Sequence, residues 1–238
     1  RVDIIYSVDG NPEMAHALGR DARQAAIPGS ADERVGKGIE LFALTFLRPV
    51  ADVRPRVEAL RDEASLLEDY NISDAMEWIL ALLALRNGEL AAGWRRLVRL
   101  EPHFEARGNM NFVRQALISR AEVLLGLAGL VDPDAEAPPE RPRFERKRPG
   151  LSDIAVFFGL RLVARRRAET AIRRALELDP LGRGPHYARC QIGLGLIRAS
   201  RNDHAAAKGY LETGLAAAKA EGHDLLASRA MRGLSRLS

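Results

Sequence analysis

Segments of helix length, each with apolar residues at spacings of three and four, follow one another along this chain with only short breaks of Gly, Pro, Asn or Asp between them. A chain written this way can bury its apolar stripes only by laying helix against helix. Asn11-Pro12-Glu13 reads as a helix start, with a capping Asn, a Pro suited to the first position and a Glu suited to the positive end. That helix is expected to run to about Ala26. Ser30-Ala31-Asp32-Glu33 forms a capping box and opens a second helix, closed by Pro49. A third is predicted from about Pro55 to Tyr70, and a fourth from near Ser73 to the Asn87-Gly88 turn. A fifth should start at Glu89 and stop at Glu101-Pro102, and a sixth should cover Met110 to Leu130. The one candidate for a strand is Val2 to Val8.

Composition agrees with this pattern. Of 238 residues, 47% are hydrophobic and 29% charged, so the chain can bury a core and stay in solution. Aromatics supply only 5%, and the apolar content is mostly Ala, Leu and Val. These and the abundant Arg and Glu favour helices. The composition changes abruptly at Val131 to Gly150, which holds five prolines, five basic and five acidic residues and little to bury. It reads as a charged linker or long loop. The expected organisation is therefore a helical half over 1–130, a linker over 131–150 and a second helical half over 151–238. Ser152-Asp153 should cap a helical stretch reaching Leu178, as one helix or as two broken near Arg165 to Arg167. Helices from about Pro185 to Ser200, from the Asn202-Asp203 turn to about Ala220, and from His223 to Leu237 complete the chain.

The second half carries a family resemblance. Ala168, Ile172, Ala175 and Pro180 stand at the spacing of the second helix of a tetratricopeptide repeat. Leu194-Gly195 stand where that family has its Leu-Gly pair, and Ala207, Leu211 and Gly214 follow the next turn. The stretch resembles the longer repeats found in bacterial transcriptional regulators and signalling ATPases. The resemblance implies an all-α, right-handed solenoid of antiparallel helical hairpins. It also implies that the first helix of each pair lines a concave groove, showing Arg189, Ile192, Leu196 and Ala199 to a peptide or helix of a partner protein. Small residues where helices cross, and large ones filling the gaps to the next pair, explain why such a pattern stacks.

Catalytic and cofactor patterns do not appear. Gly29 to Gly38 reads GSADERVGKG and lacks the first Gly and the final Ser or Thr of a phosphate-binding loop. Gly193-Leu194-Gly195 has Arg198 where a dinucleotide fingerprint needs its third Gly. The five histidines, His16, His103, His186, His204 and His223, have no metal-ligand spacing and are expected on the surface or in turns. The lone Cys190 excludes a disulfide framework, fits a reducing cytoplasm, and reads as a small core residue. No metal, cofactor or membrane partner is expected, and the function implied is protein binding rather than an enzyme's.

Charge is unevenly spread. Leu151 to Ser238 holds fifteen Arg and Lys against eight acidic residues. Arg161 to Arg174 reads RLVARRRAETAIRR, which makes Arg165, Arg166 and Arg167 candidate contacts for phosphate or an acidic partner. Nucleic-acid binding through this basic third is the second expectation. Aromatics for stacking bases are missing around it.

Overall fold

In the computed structural model the described residues are 11–131, 148–179, 182 and 184–237. Among them the chain is all α, with ten helices and no strand. The first six are α1 (Pro12–Ala25), α2 (Ala31–Leu47), α3 (Val50–Leu66), α4 (Tyr70–Arg86), α5 (Leu90–Ala106) and α6 (Met110–Leu127). Then come α7 (Leu151–Glu177), α8 (Pro185–Ala199), α9 (His204–Ala220) and α10 (Asp224–Ser235). None is long and apolar enough to cross a membrane. Val2 to Val8, Pro180 and most of the Pro-rich stretch, 132–147, lie outside the described residues.

The turns share one geometry. Glu68, Gly88, Gly108, Gly129, Asn202 and Gly222 all have φ between +55° and +82°. The N–H after each of them (Asp69, Glu89, Asn109, Leu130, Asp203, His223) donates to the carbonyl five residues back at 2.8–3.1 Å. This is the Schellman closure, in which a left-handed residue lets the chain satisfy the orphan carbonyls of the helix it has just left. The left-handed positions fall at 68, 88, 108 and 129, and again at 202 and 222, a step of twenty or twenty-one residues. Between them lie helices of 17 or 18 residues. Asp69 and Asp203 then cap the next helix, accepting from the N–H of Ile72 and Ala206.

Several helix ends differ from the sequence expectation. α3 begins at Val50 and runs through Pro55, and α5 continues past Pro102 to Ala106. Each proline leaves one carbonyl without its intrahelical donor. Both rings are exposed, as are Ala51 and Val98 four residues earlier, so water can take the vacant bond. Val57, Leu60 and Phe104, at most 4% exposed, hold the helices together beyond the prolines. At α2, Ser30 caps as expected, but Glu33 reaches back to the Gly29 N–H at 2.6 Å rather than to Ser30. α7 is one unbroken helix of 27 residues.

The described residues form two compact units. The first comprises 11–100 with 148–153, and the second 101–131 with the described part of 154–237. The division does not follow the Pro-rich stretch, because α6 packs with α8. In the first unit α1 and α2 run antiparallel in close approach. A Cβ on Gly19 would lie 2.6 Å from the Glu40 backbone N, and one on Gly36 equally near that of Arg23. Phe42 packs against Trp78 with ring centroids 5.0 Å apart and the rings tilted by 46°. Glu40, 7% exposed, is met by Arg23 from α1 at 3.1 Å and Arg56 from α3 at 3.5 Å. Asp153 caps α5, its Oδ1 accepting from the Ala91 N–H at 2.8 Å.

In the second unit α7, α8 and α9 lie antiparallel in turn. Ala168, Ile172, Ala175, Leu194, Ala207 and Leu211 are each at most 2% exposed. A Cβ on Gly195 would sit 2.6 Å from Leu211 Cγ, and one on Gly214 equally near Ile192 Cγ1. Glycine at both places lets a large residue of the facing helix enter. Glu169 of α7 gathers Arg173 at 2.9 Å, Arg198 at 3.0 Å and Arg201 at 2.8 Å, fastening α7 to α8 and the turn after it.

Candidate partner-binding face

Three helices of the second unit, α6, α8 and α10, are brought together along one face. α8 packs on both of the others, and Arg229 of α10 reaches Glu122 of α6 through Nη1, at 2.7 and 2.9 Å from the two carboxylate oxygens. Arg114 of α6 pairs with Asp179, just past the end of α7, at 3.2 Å. Between these pairs stand Arg189 and Cys190 of α8. His186 lies one turn earlier, and His223 precedes α10. The face thus gathers three arginines, two carboxylates and two histidines from separate helices, with Glu122 and Arg229 107 positions apart in sequence.

Electrostatics sets the state of each group. Burial pushes the Cys190 thiol up to about 12, with Glu122 and Asp179 acting in the same direction, so at neutral pH it is protonated and a poor nucleophile. Burial lowers His186 to about 3 and keeps its ring neutral. His223 is also lowered, by burial first and then by the charge of Arg189. Arg189 keeps some solvent contact, yet burial and the nearby Arg229 bring it down to about 10. It remains charged at neutral pH.

The residues expected on the groove separate. Arg189 belongs to this face. Ile192 is fully buried and faces Gly214 of α9. Leu196 is 7% exposed and packs toward Gly233 of α10, and Ala199 is half-buried near the end of α8. Ile192 and Leu196 therefore serve the helix packing rather than an open surface. Arg165, Arg166 and Arg167 are all exposed on α7, away from this cluster, with Arg165 Nη1 3.5 Å from the Ser200 carbonyl.

Sequence spacing does not reveal the rest of the cluster. Glu122 and Arg229 are 107 positions apart. The expectation that the histidines lie on the surface or in turns fails for His186, which is 5% exposed within α8, whereas His223 closes the Gly222 turn, though at 9% exposure it is buried there. Both stand at or before the first turn of a helix that the neighbouring helices cover. Among the described residues no group of three or more His, Cys, Asp or Glu side chains could hold a metal ion. Comparison with protein-family models, with curated proteins and with solved structures gives no match for this chain.

Proposed function

We propose that this chain is a non-catalytic protein–protein interaction module of the tetratricopeptide kind. In this reading it is a right-handed α-solenoid of antiparallel hairpins that takes a peptide or helix of a partner on the α6–α8–α10 face. Such a module would act as a scaffold or regulatory part of a bacterial signalling or transcription-regulating protein. The observation that carries the reading is the recurrence of one turn geometry at steps of twenty or twenty-one residues, joining helices of nearly equal length. Repeated hairpins with glycines at the crossings are what a stack needs, since each pair buries its stripe only on the next. The charged Arg189 within a half-buried face gives the partner an anchor of defined chemistry, an acidic side chain or a terminal carboxylate.

A pull-down from the native lysate with the purified chain, with nuclease and at two salt concentrations, tests the proposal. A discrete protein retained by the wild type and lost with Arg189→Glu supports it. Capture of nucleic acid alone, lost at high salt, supports the second reading instead. That alternative has one observation in its favour, the run of exposed arginines Arg165, Arg166 and Arg167.

A further inference from the structure

The first half of α7 leaves a stripe of large apolar side chains uncovered. α8 runs antiparallel to α7 and ends at Ala199, and the contact from Arg165 to the Ser200 carbonyl marks where that cover stops. N-terminal to Arg165, α7 extends past its neighbour. Leu160, Ala164 and Ala168 mark the buried side, at 6% exposure or less. On another side Ile154, Phe158 and Leu162 stand four residues apart along one line, exposed by 42%, 62% and 89%. Phe157 packs edge-on against Phe158, with centroids 5.4 Å apart, and carries the Arg161 guanidinium 5.7 Å above its ring.

Charge identifies what this stripe is built to meet. Between Asp153 and Glu169 the helix has no acidic residue and four arginines, Arg161, Arg165, Arg166 and Arg167. Arg161, Arg165 and Arg166 flank or continue the apolar line, and all three are exposed. We infer that this face docks an acidic amphipathic segment of a partner protein, one whose apolar side covers Phe158 and Leu162 while its carboxylates meet the arginines. A second copy of the chain would set these arginines against their equals. A phosphate backbone would leave Phe158 and Leu162 wet. An anionic lipid surface asks for a longer apolar face than two turns closed by arginine. The surface is separate from the α6–α8–α10 face and does not depend on it.

Fluorescence anisotropy on the full chain tests this. The probe is a labelled 16-residue peptide with Leu and Phe on one helical face and Glu elsewhere. Saturable binding is expected, reduced at least tenfold by the pair Phe158→Ser and Leu162→Ser, and also by Arg165→Glu with Arg166→Glu. These side chains are exposed, so circular dichroism should be unchanged. Arg189→Ala should have no effect, and a peptide with Lys in place of Glu should not bind. The inference is overturned by absent binding or by binding indifferent to both pairs. Loss with Arg189→Ala instead would place the peptide on the other face, and so also overturn it. It is equally overturned if the same substitutions abolish tighter binding to a 20-nucleotide single strand or to phosphatidylserine vesicles. Conversion of a wild-type dimer to a monomer by Phe158→Ser with Leu162→Ser would name a second copy as the occupant.

Discussion

The stretch from α3 to α6 and the helix α7 solve the same burial problem differently. Over Val50 to Leu127 each helix is 17 or 18 residues long, and every turn returns the chain beside itself. Most of the large exposed apolar residues lie close to the turns, as at Leu66, Leu67, Tyr70 and Met110, with Val98 in the middle of α5 the exception. α7 has 27 residues beside a neighbour of 15, so its first turns extend past α8 and keep apolar side chains in solvent. Equal lengths close the interior, and unequal lengths leave apolar side chains exposed. The glycines follow the same division. A Cβ on Gly93 in α5 would meet Leu85 Cγ at 2.5 Å and the Leu85 backbone N at 3.0 Å, whereas one on Gly159 in α7 meets nothing within 4 Å.

The largest expected effect concerns pH. The buried His186 stays neutral down to about 3, whereas in the unfolded chain it takes a proton near the ordinary 6.5. The unfolded state therefore binds more protons across that interval, and stability falls as pH drops from about 6.5 toward 3. The loss attributable to this ring is on the order of a few kcal/mol. Denaturant titrations from pH 7 to pH 4 should show a shallower loss for His186→Gln than for the wild type, and coincident slopes would remove the ring from the account.

Next comes the pair of glycines. Gly93→Ala should cost about 1–3 kcal/mol, because part of what it strikes is backbone that cannot rotate away. Gly159→Ala should gain about 0.5–1 kcal/mol from helix propensity alone. Opposite signs in urea midpoints support the contrast between covered and overhanging helix, and two losses would break it. Glu169→Gln should cost about 1–2 kcal/mol by removing the charge that three arginines share. Burial alone would push that carboxyl up, yet hydrogen bonds from Arg173 and Arg201 hold it below its ordinary value. Its contribution is therefore present above about 4.5 and lost as pH falls through the lowered value. The smallest effect is a gain. Glu68 sits left-handed at φ 55° where three neighbouring turns use glycine, so Glu68→Gly should raise stability by up to about 1 kcal/mol in a thermal melt.

The helices themselves were legible because local chemistry writes them. Asn11 and Ser30 cap where polar residues before apolar periodicity say they should. The turns at Asn87-Gly88 and Asn202-Asp203 stand where expected. The start of α3 and the end of α5 were misread because Pro55 looks like a first helical position and Pro102 like a stop, and only tertiary burial of Val57 and Phe104 shows why the helices pass through. The turn at Glu68 has no glycine to announce it. Of the candidate face, only Arg189 was named in advance, through the family resemblance, and Glu122, Asp179 and Arg229 come together only through packing between distant segments. Ile192 and Leu196 share the helix with Arg189, and glycines of α9 and α10 draw them inward.

Site-specific photocrosslinking tests the proposed binding face most directly. A crosslinking amino acid placed at position 189 of α8, and separately at the exposed position 208 of α9, would be activated in the native lysate after nuclease treatment. A discrete protein adduct at 189 and none at 208 is the predicted result. Equal labelling at both positions, or no protein adduct at either, would contradict a partner held on the α6–α8–α10 face.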